Sequence, residues 1–127
     1  MHKHLLCPER LREVPEQFSW LDHRLVSDHL IDTCSHQAAA LYLFLVVVGD
    51  SKGLSYYSDA SLMRRLGMTE HMLDAARREL ISAGLICFKR PLYQVLSLDA
   101  RPQKQELGKG GPVSLGEIMA RIQGAQP

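Results

Sequence analysis

The sequence predicts an α+β domain, mostly α, in which a three-helix core carries a β-hairpin. An N-terminal extension precedes this unit and a short C-terminal helix follows it. Three observations support that class. Apolar side chains recur at helical spacing through residues 35–48, 59–66 and 69–83, each run opened by Ser or Thr and closed by Gly. Two strand-like runs, Leu85–Lys89 and Leu92–Leu98, flank Arg90-Pro91, and proline cannot sit inside a ladder, so it marks the turn between them. The 127 residues are 46% hydrophobic and 23% charged, enough apolar material for one core.

The elements follow in order. Residues 1–34 form the N-terminal extension, with four basic and six acidic side chains. Phe18 and Trp20 alternate with polar neighbours and predict a short strand whose aromatic rings enter the core. Asp22 to Ile31 then predicts a helix with Leu25, Val26 and Leu30 inward. Residues 35–99 hold the main domain. Ser35 caps a helix to about Val48 whose side chains are apolar on nearly every face, which predicts a central, surrounded helix. Leu54–Tyr57 reads as a short strand. Ser58 caps a helix over Asp59–Leu66 with Ala60, Leu62, Met63 and Leu66 buried, and Gly67 stops it. Thr69 caps the next helix, in which Leu73, Ala76, Leu80 and Ala83 form one stripe, with Glu70 in the first turn where the helix dipole favours an acid.

Residues 100–113 read as a flexible linker by their Gly and Pro content. Residues 114–127 carry Leu115, Ile118, Met119 and Ile122 on one helical face, a candidate docking segment for a partner or for the domain itself.

The segment Ser58 to Ile86 joins a capped short helix, the Leu66-Gly67 break, the Thr69 cap, a longer helix and Glu79-Leu-Ile-Ser-Ala-Gly-Leu-Ile86. It resembles the winged helix–turn–helix DNA-binding family. The likeness covers about residues 35–98. It points in particular to the winged domains of plasmid and phage replication initiators and of small bacterial regulators. In these an Ala- and Leu-rich first helix (here Ala38–Leu45) precedes a short strand with a Ser-Tyr-like end (here Leu54–Ser58).

The resemblance implies that the helix from Thr69 enters a DNA major groove and reads base edges through Thr69, Glu70, His71, Met72, Asp74 and Ala75, with Arg78 at its flank. It also places Ser58 and Ser61 against a phosphate, and Lys89 and Arg90 at the wing tip. Arg64 and Arg65 are the remaining phosphate candidates, while Arg77 is expected to be partly packed. The sequence departs from the family where basic residues are common, because Glu70 and Asp74 are acidic and Met72 and Ala75 apolar. Three to five phosphate contacts would give a log–log salt slope of about −3 to −4.5, a modest grip that gains from dimerisation. A homodimer or protein partner through the N-terminal extension or the C-terminal helix is therefore expected.

Each feature also fits a plainer reading. The Arg64-Arg65 and Arg77-Arg78 pairs fit solvated helix faces, and Lys89-Arg90 fits a turn that protects a sheet edge. An acidic third helix also suits an interaction adaptor that meets protein instead of DNA.

Composition and spacing exclude other classes. Fifteen Lys and Arg against fourteen Asp and Glu leave +1, so attraction to a nucleic acid has to come from a local patch. Three cysteines without CxxC spacing predict a reducing compartment, hence a cytoplasmic protein without a disulfide scaffold. The most apolar run, Ala38–Val48, is eleven residues, about half the ~20 that a membrane helix needs, and residues 1–8 have no leader-like apolar stretch. His23, His29, Cys34 and His36 lack the close pairing of zinc ligands, so no metal is expected. Neither GxSxG nor HExxH occurs, no Cys–His–Asp set stands out, and Gly108–Gly111 follows no strand that would make it a phosphate loop. No enzyme and no cofactor are expected.

Overall fold

The computed structural model describes residues 3–100. The linker 100–113, apart from the backbone of Ala100, and the tail with Leu115, Ile118, Met119 and Ile122 lie outside the described residues. The architecture is α+β, with four α-helices and a three-stranded antiparallel sheet among the described residues. In chain order these are α1 (Arg24–Ser27), α2 (His36–Val48), β1 (Leu54–Tyr56), α3 (Asp59–Leu66), α4 (Glu70–Ser82), β2 (Ile86–Lys89) and β3 (Leu92–Val95).

Capping chemistry places the three main helices. The hydroxyls of Ser35, Ser58 and Thr69 accept from the backbone N–H groups of Ala38, Ser61 and Met72, each at 3.1 Å. Each bond satisfies one of the four N–H groups that an opening helix leaves unpaired. Gly67 closes α3 in the left-handed region at φ 66°, where a Cβ would be strained, and lets the chain turn at once into α4.

The sheet has order β1-β3-β2. β3 is therefore central, with Ser55 opposite Tyr93 on one side and Phe88 opposite Tyr93 on the other. The pairing of β1 with the hairpin was not apparent in the sequence. It brings the end of β1, and so the start of α3, beside the hairpin turn, where Tyr57 N–H donates to Pro91 O.

The core lies between α2, α3, α4 and the sheet. Leu41, Leu45, Leu62, Leu73, Leu80, Leu85, Ile86 and Tyr93 are fully buried there. Removing a large aliphatic side chain from water is worth about 1.5–3 kcal/mol each, so this cluster supplies the main drive for folding.

Four expectations need correction. Phe18 and Trp20 form no strand and stay 65% and 74% exposed. This stretch runs beside α2, touching it through Ser19 Oγ to Val47 O at 3.5 Å, and a helix offers no edge for a ladder. The first helix is one turn, not Asp22–Ile31, because His29 takes φ 61°, which no right-handed helix accommodates. Of its apolar residues Leu25 is buried, Leu30 half-buried and Val26 exposed.

Among the described residues the α2 helix is not surrounded. Leu43 and Val47 are 52% and 60% exposed, because the described elements pack on the opposite side of the helix, through Ala38, Leu41 and Leu45. Ala60 is likewise exposed, since α3 buries only Leu62 fully, with Met63 and Leu66 half-buried.

Candidate nucleic-acid interface

The α4 helix divides cleanly into two sides. Leu73, Ala76, Arg77 and Leu80 face inward, whereas Glu70, His71 and Arg78 are exposed and Met72, Asp74, Ala75 and Glu79 are half-buried at the margin. The outer side borders an open groove of about 600 Å³ lined by His71, Ala75, Arg78 and Ser82, with Thr33 and Cys34 across from them. Met72 is the least available of the expected base readers, being packed against the core cluster.

Two anchors fix which side of α4 faces out. Glu79 Oε1 accepts from the backbone N–H of Ser35 at 2.9 Å, tying the far end of α4 to the start of α2. Those hydrogen bonds, from the Ser35 backbone first and its hydroxyl second, hold the Glu79 carboxyl below its usual range. The second anchor is Arg77, 6% exposed at its side chain. Its Nη1 donates to Asp59 Oδ1 at 3.0 Å and to the Tyr93 hydroxyl at 2.7 Å. Its guanidinium also lies 4.4 Å from the centre of the Phe88 ring.

Asp59 joins the whole arrangement. It opens α3, and its second oxygen meets Arg90 Nη1 at 2.9 Å. One carboxylate thus links the start of α3, the middle of α4 and the hairpin tip. Partial burial pushes the Asp59 carboxyl up, but hydrogen bonds from Arg90 and Arg77 outweigh it and leave it below the ordinary range. Burial likewise works against the Arg77 charge, and Asp59 and Tyr93 more than compensate. Asp74 Oδ1 also stands 3.6 Å from Arg77 Nη2, so two guanidinium groups face two carboxylates at this corner. The helix dipole favours an anion at the α3 N-terminus, where Asp59 sits.

The other expected residues fall into three situations. Ser58 and Thr69 use their oxygens as caps, which leaves the hydroxyl hydrogen free to donate outward; Ser61 is half-buried beside Ser58. Arg64 and Lys89 are exposed, and Arg65 is exposed with its guanidinium 5.3 Å from the Phe44 ring centre. Arg78 and Arg90 are exposed but engaged, by Asp74 and Asp59 respectively. Between residues 58 and 91 six basic side chains stand against four acidic ones. The balance of this face is positive although the chain as a whole is nearly neutral.

No family model, curated protein or solved structure matches this chain. Geometry and chemistry therefore carry the functional reading. Two features escaped the sequence reading. Arg77 was expected to be only partly packed, but it is a buried centre of the site. Asp59 was read only as the first residue of its helix, and because Arg77 lies on the next helix their separation of eighteen residues gives no sign of contact. Among the described residues no three His, Cys, Asp or Glu side chains gather as a metal site. No helix among them is long and apolar enough to cross a membrane.

Proposed function

We propose that this chain is a winged helix–turn–helix protein that binds double-stranded DNA, as a small transcriptional regulator or an accessory factor for replication or a mobile element. The observation that carries the reading is the setting of α4. Its outer side is exposed. The helix leading into it ends in Arg64 and Arg65, and the hairpin carrying Lys89 and Arg90 is tied to its middle through Asp59. A duplex laid on this face would meet cations at both flanks and side chains able to contact base edges between them.

Within that reading Thr69, Glu70, His71 and Asp74 meet the major groove. Glu70 and Asp74 suit cytosine N4 donors, and Arg78 reaches the groove or its edge once Asp74 releases it. Ser58 and Ser61 receive a phosphate at the α3 start, and Lys89 and Arg90 follow the backbone beside it. Because Asp74 and Asp59 already hold two of the cations, the affinity of one copy is modest and its salt dependence moderate.

The test is a fluorescence-anisotropy titration with mixed-sequence duplexes at about 50 and 200 mM salt, where the expected log–log slope is roughly −3 to −4.5. Absence of binding at the lower salt would reject the DNA reading. One specific observation favours a second reading, that of an interaction adaptor: the acids on α4 include Asp74, which draws Arg78 onto the helix itself. On that reading α4 meets a basic protein surface, and duplex titrations stay flat.

A further inference from the structure

We infer that the cleft between the N-terminal extension and α2 is the seat of this chain's own C-terminal segment, residues 114–123. The cleft encloses about 620 Å³ and is lined by apolar Phe18, Trp20, Tyr42, Val46, Leu96 and Leu98 together with polar and charged side chains that include Arg24 and Asp99. On α2, Leu43 and Val47 each follow a cleft residue, Tyr42 and Val46, by one position and are both more than half exposed. Phe18 and Trp20 are more exposed still. Large aromatic and aliphatic groups gathered this way on a small domain mark a surface that something covers.

Three observations select the occupant. First, the chain leaves the described domain at this cleft. Leu98 and Asp99 line it, and Asp99 Oδ1 accepts from Arg24 Nη1 at 2.6 Å, which fixes the exit beside the extension. Second, the length fits. Twenty-seven residues follow Ala100, and the thirteen before Ser114 are rich in Gly and Pro. A coil of that length spans roughly 20 Å on average, enough to bring the tail back over the cleft at an effective concentration in the millimolar range. Third, the pattern fits. Leu115, Ile118, Met119 and Ile122 repeat at helical spacing, so one side of a short helix would present four apolar groups to a surface that offers the complementary ones. A segment this short is marginal alone, and docking would supply the tertiary contact it lacks.

Trp20 is the only tryptophan of the chain and lies in the cleft wall, so its fluorescence reads the seat directly. The experiment compares acrylamide quenching of the full chain with that of the full-length Ile118→Asp/Met119→Asp variant, over a range of protein concentrations. Both substitutions lie in residues 114–123, so every described core residue is unchanged. Docking that covers half of the 74% exposure of Trp20 halves collisional access, so the quenching constant should roughly double in the variant, independently of concentration.

The Val46→Asp variant, altered in the cleft wall and outside the core cluster, should show the same rise. Equal quenching in the wild-type chain and the tail variant would overturn the inference. Quenching that falls with rising protein concentration, together with a doubled mass by light scattering and no effect of the tail variant, would also overturn it. That result would assign the cleft to a second copy. None of these outcomes depends on whether the protein binds DNA.

Discussion

Asp59→Asn is the sharpest test of how the site is held together. The substitution keeps the shape and one acceptor oxygen but removes the charge that faces Arg77 and Arg90. Arg77 is 6% exposed, so its bond to Asp59 is charge-assisted and poorly screened, worth about 1.5–3 kcal/mol. The Arg90 arm is largely exposed and adds roughly 0–1 kcal/mol, and an acid in the first turn of α3 adds about 0.3–1 kcal/mol through the helix dipole.

Against these losses stand the Tyr93 hydroxyl at 2.7 Å and Asp74 at 3.6 Å, which still face the guanidinium. The relief of no longer partly burying a carboxylate acts in the same sense. The net destabilisation is therefore about 2 kcal/mol, which for a domain of this size lowers the thermal midpoint by roughly 8–16 °C. Urea unfolding followed by far-ultraviolet circular dichroism measures it directly. Arg90→Ala serves as the control and should cost no more than about 1 kcal/mol. In an Arg77→Met background the Asp59→Asn cost should shrink by about 1–2 kcal/mol. A loss below about 0.5 kcal/mol for Asp59→Asn, or an undiminished loss in the Arg77→Met background, would refute the account of Asp59 as the junction.

Further outcomes follow from the same geometry. Replacing Arg64, Arg65 and Lys89 together by Ala should leave the thermal midpoint nearly unchanged while the slope of log affinity against log salt becomes shallower by about 2–3 in duplex titrations. Gly67→Ala should cost about 1 kcal/mol, since φ is positive but nothing lies within 4 Å of the new Cβ. Gly53→Ala should cost clearly more, because its Cβ would stand 2.7 Å from Val95 O, and parallel urea titrations would rank the two. Asp59, Asp74 and Glu79 all titrate below their ordinary values when folded. Their stabilisation is complete above the unfolded carboxyl range and disappears as pH falls through the folded values. The urea midpoint should therefore decline between about pH 5 and pH 2, less steeply in Asp59→Asn.

The parts of the fold that local chemistry decides were legible in the sequence. Ser35, Ser58 and Thr69 announced three helix starts, Gly67 announced a sharp turn, and Pro91 announced the hairpin bend, because a cap or a breaker acts on its immediate neighbours. Elements whose form depends on distant partners were not legible. The alternation around Phe18 and Trp20 has the period of a strand but no neighbouring edge to complete it. The uniformly apolar α2 looked central because periodicity does not reveal how much protein is available to cover it. The site divides the same way. Exposure of Glu70, His71 and Arg78 followed from helical phase, whereas the engagement of Arg90 by Asp59 depends on β1 pairing with β3, a contact between segments nearly forty residues apart.

The bond between Glu79 and Ser35 has a consequence for how α4 can evolve. A rod packed through Leu73, Ala76 and Leu80 could roll a little about its long axis, because aliphatic contacts are forgiving of small angles. The carboxylate pinned at the opening of α2 removes that freedom at one end, and Arg77 removes it in the middle. The rotational phase of the helix is thereby set from the rear of the molecule. Surface positions such as Glu70, His71 and Asp74 can then be exchanged one at a time without changing the direction in which the others point.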